Sequence, residues 1–522
     1  MDLRLFFSAA RLLVFAAAFA VFAAPAHATY HALEEIPVES VVYRWVEDLA
    51  ASYGAPSSYL HEKPWDRADL GHFLDELIMR TPAAATDPLV TRLRRELAPS
   101  ETLGGWEPLV QADSEHGSLE VSPYLRVDYS EDRARGAIVR DFRAGLQFSA
   151  ALSEGALLYT DVFAGSNSPG PHGNPTDSKR FGLLEGVEVN SYFDRAYGTF
   201  RGRLGRLHVG HTWLRWGPGF TGGVALSDGA PAMDLIEARV PVLRRLQLSW
   251  FVATLDPALE QYLAGHRLEF KPTNDTEFSL SELARFDGTR NAPLYLLPVI
   301  PYSHLEKRIL KSSTLPSDSL EQLGKNNVMW AFDAAWRVQP GLRVYGEAAV
   351  DDFSFSSEPR PRAIAWLVGG HLRQLRESGA WSLRAEYARV YQFTYSVFHH
   401  HDFAFAGYPT AYPLGPDVDR VAGRLEWRTD SDWTWGAEGA FTRKGEGELG
   451  DYYLPGSGKV NNLTLTGVLD RDLRAAFTAD WSPSPAISLG ATAGFASVTA
   501  QAHVLGADES GVYGSSRATL RW

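Results

Sequence analysis

The side chains best placed for binding chemistry in this 522-residue chain are aromatic and charged groups set beside a backbone break. Trp213, Arg215 and Trp216 run directly into Gly217-Pro218-Gly219. Gly217 and Gly219 permit backbone angles closed to other residues, and Pro218 removes a ladder donor, so a strand must break or fold there. That break is either a structural corner or a lumen constriction on which Trp213, Arg215 and Trp216 form a ledge for a ligand; Gly and Pro mark corners more often than sites. A second group is Tyr391, Tyr395, Tyr408 and Tyr412, with Asp402 and Asp417 beside them. Tyrosine and tryptophan present an apolar face and a polar tip, which suits the two sides of a sugar ring. This segment is the candidate glycan surface, and its alternative is an aromatic girdle at a membrane interface.

Other chemistries find less support. His399-His400-His401-Asp402 resembles a metal motif, but neighbours on an extended strand point in opposite directions, so no metal is expected from the triplet alone. Arg201, Arg203, Arg239, Arg244 and Arg245 could grip acidic sugars or lipopolysaccharide phosphates, although salt bridging inside a lumen is the plainer use. There is no Gly-x-Ser-x-Gly elbow, P-loop or His-Glu-x-x-His, so no catalytic residue and no cofactor is expected. Asp351 and Asp352 point apart if they lie on a strand, which argues against a glycosidase pair. With no cysteine, disulfides and thiolate metal sites are ruled out. The formal net charge of -13 gives no global attraction for nucleic acid.

These groups need a frame, and the pattern of the chain supplies one. Arg4, Arg11, the apolar run 12–24 and Ala26-His27-Ala28 read as a secretory leader over 1–28, with the mature chain starting near Thr29. Residues 29–112 read as a small helical domain. Ser40 caps a segment closed by Gly54, Asp66 caps a second with Leu70, Phe73, Leu74 and Leu77 on one face, and Pro88 to Leu97 forms a third. From 113 to 522 the period becomes two. Phe142–Phe148, Gly186–Asn190, Gln247–Trp250, Phe278–Ser281, Leu342–Ala348, Trp381–Tyr387, Gly423–Arg428 and Trp433–Glu438 alternate apolar with polar residues. Beyond the leader no apolar run is long enough for a helical span, and a barrel hides from that test because only every second residue meets lipid.

Tight turns are expected at 153–155, 194–195, 429–432 and 482–485, and long loops at 165–180, 307–327, 399–419 and 443–459. Short turns on one side with long loops on the other is the outer-membrane pattern, and about 22 residues per strand gives roughly 16 to 18 antiparallel strands. The fold class is therefore an all-β transmembrane barrel preceded by a small α-helical bundle. The final strand, with Ala518, Leu520 and Trp522 on one face, reads as the signal for the barrel-assembly machinery.

The stretch Gly210-His211-Thr212-Trp213-Leu214-Arg215-Trp216-Gly217-Pro218-Gly219-Phe220 resembles the signature of the capsule assembly protein Wzi family. His266–Pro272, Tyr345-Gly346-Glu347, Glu386-Tyr387 and Leu414-Gly415 follow in matching order, while Ser281-Glu282 departs from the family's Ser-Arg. The resemblance implies an outer-membrane barrel with a periplasmic helical domain, acting as a lectin in surface attachment or assembly of capsular or other exopolysaccharide. Its expected partners are that polysaccharide, outer-membrane lipid and lipopolysaccharide. The rivals are a pore or export conduit and, further off, a membrane-embedded hydrolase.

Overall fold

The computed structural model describes residues 31–97, 108–115, 117–166, 181–184, 190–288, 292–305, 326–352, 361–376, 379–396, 401–429, 431–453, 464–484 and 487–521. The leader, residues 186–189, most of 307–327, His399, His400 and Trp522 lie outside them.

Three helices form where caps and apolar spacing coincide: α1 (Val41–Tyr53), α2 (Arg67–Arg80) and α3 (Pro88–Leu97). Ser40 Oγ accepts from Val42 N (3.3 Å), and Gly54, at φ 85°, closes α1 by donating to the Ala50 carbonyl. Asp66 and Asp69 make a reciprocal capping box on α2, satisfying donors that have no partner within the helix. Trp45, Leu49, Trp65, Phe73, Leu74 and Leu93 bury together between the helices, each burial worth roughly 1.5–3 kcal/mol.

The rest is a closed antiparallel barrel of 18 long strands. In chain order they are β1 (Gly117–Asp132), β2 (Ala137–Ser153), β3 (Ala156–Ser166), β4 (Asn190–Gly202), β5 (Gly205–Thr212), β6 (Met233–Leu243), β7 (Leu246–Asp256), β8 (Gln261–Phe270) and β9 (Thr276–Asp287). They continue as β10 (Asn327–Gln339), β11 (Leu342–Asp352), β12 (Ala363–Arg376), β13 (Gly379–Val390), β14 (Val418–Arg428), β15 (Trp433–Lys444), β16 (Asp470–Ser484), β17 (Ile487–Thr499) and β18 (Glu509–Arg521). β18 closes onto β1, with Leu520 opposite Leu125. Short pieces at Val110–Ser114 and Phe181–Leu184 add to β1 and β4.

Polarity is inverted relative to a water-soluble protein. Val127, Phe142, Phe332, Trp336, Val368, Val421, Trp435 and Phe495 lie exposed on the outer face, while Arg143, Asp161, Arg206, Glu237, Arg267, Asp333 and Arg384 are buried within. A closed barrel leaves no open edge, which is the condition for strands to cross lipid. Among the described residues no helix is long and apolar enough to cross a membrane.

Short connections at 154–155, 203–204, 244–245 and 340–341 share one end of the barrel, and the long connections 213–232 and 391–417 share the other. One expected turn is corrected: Asp194-Arg195 lies inside β4, and the chain turns instead between Gly202 and Gly205. Near the short-turn end Trp381 packs on Trp427 (4.7 Å between ring centroids) and Trp433 stacks on Trp435 (5.2 Å).

Candidate functional site

Two segments enter the lumen from opposite ends. The helical domain enters from the short-turn end. There Arg92 donates to the Thr429 carbonyl (2.8 Å), Arg95 pairs with Asp432 (3.0 Å) and the Ala51 carbonyl accepts from Gly341 N (2.8 Å). Deeper in, Asp48 meets Ser382 (2.9 Å), His371 (2.6 Å), Arg384 (3.2 Å) and Arg428, and Asp87 takes a two-pronged grip from Arg373 (2.8 and 2.9 Å). Arg384 also holds Glu47 (3.2 Å). Burial raises the Glu47 carboxyl, but Lys63 and Arg384 outweigh it and hold the group below the usual carboxylate range.

The other segment is the break beginning at Trp213. β5 ends at Thr212, β6 begins at Met233, and the residues between fold inward. Leu214, Trp216, Val224 and Leu226 are buried against Phe251, Leu263, Leu283 and Leu367 of the wall. Gly217 has φ 108°, and a Cβ there would stand 2.3 Å from Glu347 Oε2. Only glycine fits, for both reasons. Glu347 accepts from Val224 N (2.8 Å) and Ala225 N (3.1 Å), and Glu386 accepts from Phe220 N (2.8 Å), Thr221 N (3.2 Å) and the Tyr345 hydroxyl (2.9 Å). These carboxylates satisfy backbone donors that would otherwise be buried without partners.

The two segments meet mid-lumen. Arg215–Trp216 pairs antiparallel with Glu62–Lys63, and Gly217 N donates to the His61 carbonyl (2.7 Å). Trp216 lies edge-on to Phe251 (5.3 Å) and under the Arg267 guanidinium (5.7 Å), leaving it 1% exposed.

The sequence-derived candidates separate by position. Arg215 pairs with Asp228 (3.3 Å) and reaches the Gly219 carbonyl. Trp213 is half-buried, donates Nε1 to the Ala230 carbonyl (3.1 Å) and walls a cavity of about 170 Å³ with Arg143, Asp161, Asp194 and Arg195. Arg143 and Asp161 were missed because each is one more polar residue in an alternating strand, Asp194 and Arg195 because they read as a turn, and only the inward loop brings an indole to them. Arg143 Nη1 donates to Asp194 (2.6 Å) and the Tyr124 hydroxyl to Asp161 (2.7 Å), so the cavity joins an aromatic face to fixed donors and acceptors.

The four tyrosines divide in two. Tyr395 and Tyr412 are fully buried, which takes them away from the exterior. Tyr395 donates its hydroxyl to the Val224 carbonyl (2.8 Å) and its N–H to Asp351 (2.6 Å), and the Tyr412 hydroxyl lies 3.2 Å from Thr221 Oγ1. Burial raises both hydroxyl pKa values, keeping the phenols protonated as fasteners between segment 391–417 and the inward loop. Tyr391 and Tyr408 are partly exposed, as is Asp402. His401 is buried against Asp287 (3.2 Å). Of the arginines weighed for anions, Arg201 pairs with Asp69 (2.7 Å) and Asp66, and Arg239 with Glu62 (3.2 Å) and Glu237 (2.7 Å).

A closed barrel, apolar outside and ionic inside, with an occupied lumen, defines an outer-membrane β-barrel protein. The model of the capsule assembly protein Wzi family matches residues 125–509, and the chain belongs to that family. Among solved structures it is similar to Escherichia coli Wzi, described as an outer membrane protein involved in group 1 capsule assembly and a carbohydrate-binding β-barrel. The identity is 15%, the TM-score 0.62, and the likeness covers 93% of this chain and 99% of that one. Pseudomonas aeruginosa OprD has a TM-score of 0.43 at 10% identity (77% and 94% covered), and OccD3 of the same organism has 0.43 at 12% (77% and 91% covered). No curated protein sequence matched.

Proposed function

We propose that this chain is a lectin-like outer-membrane protein that attaches or helps assemble capsular or related surface polysaccharide without turning it over. The observation that carries this is that the lumen is entered from both ends by segments that join through the pairing of Arg215–Trp216 with Glu62–Lys63. A pore needs a continuous aqueous path, whereas a binding protein needs rigid aromatic and polar groups. The chain's family membership and the carbohydrate binding ascribed to E. coli Wzi support the same conclusion.

In this proposal residues 1–28 are a cleaved leader and residues 29–112 face the periplasm, because short turns of outer-membrane barrels lie on that side. Tyr391, Tyr408 and Asp402 offer sugar contacts at the long-loop end, and Trp213 with Arg215 offers an inner station beneath them. Tyr395, Tyr412, Trp216 and Gly217-Pro218-Gly219 hold those contacts in place.

The test is titration of the detergent-folded protein with the host's own surface polysaccharide beside a planar-bilayer trace. Saturable binding with no steady conductance is expected. Steady conductance without binding would overturn the proposal in favour of a pore.

A further inference from the structure

Part of the connection between β9 and β10 lies on the outside of the barrel wall rather than above it. Phe251, Leu263, Leu283 and Met329 are buried in the lumen core, so Val252, Ala264, Ala284 and Val328, their neighbours along each strand, face outward. Residues 292–305 fold back along that outer wall. Tyr295, Tyr302 and Leu305 are buried there against Ala264, Ala284 and Phe286. Tyr295 stacks on Phe286 (3.9 Å between ring centroids), and the Tyr302 ring lies 4.3 Å from the His266 ring.

This strap covers an ionic pair that would otherwise face lipid. His266 and Glu282 are opposite each other in register on the outer face, with His266 Nε2 3.1 Å from the Glu282 carboxylate. Glu282 accepts from Tyr302 N (2.7 Å) and Ser303 N (2.9 Å), so the backbone donors of the strap and the carboxylate of the wall satisfy each other. The next outward row towards the short turns is Leu268, Leu280 and Phe332, apolar and exposed. Strands that rise about 3.3 Å per residue at a tilt of about 40° place Phe286 roughly 20 Å above Phe278, still within an apolar band of about 25 Å. The strap therefore occupies the half of the band nearer the long loops.

The outward side of the strap is apolar as well. From Ala292 to Leu305 the chain reads Ala-Pro-Leu-Tyr-Leu-Leu-Pro-Val-Ile-Pro-Tyr-Ser-His-Leu, with no Asp, Glu, Lys or Arg. Arg290 and Glu306 are the first charged residues on either side. Leu294 is 39% exposed, Leu297 46% and Val299 80%, and Pro293 and Pro301 are exposed beside them. Large apolar side chains gathered on one exposed face mark an interaction surface.

We propose that residues 292–305 are a membrane-embedded strap whose Leu294, Leu297 and Val299 lie among the acyl chains of the leaflet on the long-loop side. Lipid is the occupant because the apolar face of the strap adjoins the outer wall at the level where that wall crosses the bilayer. A connection that could have stood in water instead widens the hold of the barrel on the membrane and keeps His266 and Glu282 away from lipid, where charge is costly. The strap depends neither on glycan binding nor on which side the long loops face.

The chain has no cysteine, so a single introduced one can carry a bimane label. Full-length protein labelled at Val299→Cys, Val421→Cys or Leu204→Cys is reconstituted into phosphatidylcholine vesicles with and without a nitroxide on the acyl chain. Val421 (53% exposed) reports the lipid-facing wall, and Leu204 (85% exposed) reports a short turn beyond it. The heat-dependent gel shift of a folded barrel verifies each variant before emission is read. The Val299→Cys label should lose about half its emission or more to the nitroxide lipid, as the Val421→Cys label does, while the Leu204→Cys label changes little. Emission from Val299→Cys that falls no further than that from Leu204→Cys would overturn the strap's place in lipid. A disulfide-linked dimer of Val299→Cys would then name a second copy as the occupant, and its absence would leave the strap in water.

Discussion

The lumen is filled by two segments that solve the same problem with different physics. The helical domain has its own apolar core, and it meets the barrel wall through ionic contacts centred on Asp48 and Asp87. The inward loop has no core of its own. It donates Leu214, Trp216, Val224 and Leu226 to a core shared with the wall, and its free backbone donors go to Glu347 and Glu386. An ionic seam between two finished surfaces can be undone without unfolding either side. A shared core cannot, because opening it exposes both. The helical domain is therefore the separable part of the lumen filling and the inward loop belongs to the barrel.

The largest expected effect follows from this contrast. Asp48→Ala strips a common partner from Arg384, Arg428 and His371, but Glu47 still faces Arg384 and Glu426 still faces Arg428, so the loss should sit at the lower end of the range of about 3–5 kcal/mol that breaking a buried pair costs. The helical domain should become protease-sensitive while the barrel stays folded. A helical domain that remains protected would show that the ionic seam is not what holds it. Trp216→Ala should cost about 3 kcal/mol, since it empties a site packed by Phe251 and Arg267. Here the loss should appear as a lowered barrel melting temperature, with loop and wall weakening together. If the loop alone is cleaved while the melting temperature holds, the shared-core description is wrong.

How much of this was legible in the residues follows the same divide. The caps Ser40, Asp66 and Gly54 and the alternation in Trp381–Tyr387 or Leu342–Ala348 are local signals, and they marked helices and strands correctly. The break at Gly217-Pro218-Gly219 was equally visible, because only glycine tolerates that φ. Its destination was not. The pairing of Glu62–Lys63 with Arg215–Trp216 joins residues about 150 positions apart, and two-residue strands carry no period. Arg384 and Glu386 read as one polar face, but the structure sends Arg384 to the helical domain and Glu386 to the inward loop. Burial of Tyr395 and Tyr412 depends on the fold of a long connection, where composition says aromatic and cannot say inside or outside.

A change of pH should separate the two fillings by a smaller margin than Asp48→Ala, because it titrates contacts one at a time. The Glu47 carboxyl is held below its free value of 4.5, so its contribution to docking is complete above that pH and fades as the pH falls through the lowered value. Asp66, at the start of α2, has the opposite sign. Burial and the neighbouring Asp69 push it up to about 7 from 3.8, so its contribution is present below 3.8 and is lost as the pH rises through about 7. Docking of the helical domain should therefore be tightest in mild acid, read as protease resistance of α1 and α2 at pH 3, 5 and 8. Asp66→Asn keeps a competent N-cap and should flatten the decline between pH 5 and 8. If that decline is as steep in the variant as in the wild type, Asp66 is not its source.

The smallest effect tests the mouth rather than the filling. Tyr391 and Tyr408 are the partly exposed members of the tyrosine set, whereas Tyr395 and Tyr412 anchor the inward loop. An aromatic contact is worth roughly 1 kcal/mol beyond the area it buries, about fivefold in Kd. Tyr408→Ala and Tyr391→Ala should each weaken polysaccharide binding by about that factor with no change in melting temperature. Tyr395→Phe removes only the hydroxyl that donates to Val224, so it should lower the melting temperature and leave the affinity of the folded protein intact. A Tyr395→Phe protein that loses affinity at full thermal stability would move the sugar inward, to the Trp213 cavity, and join the mouth to the filling as a single site.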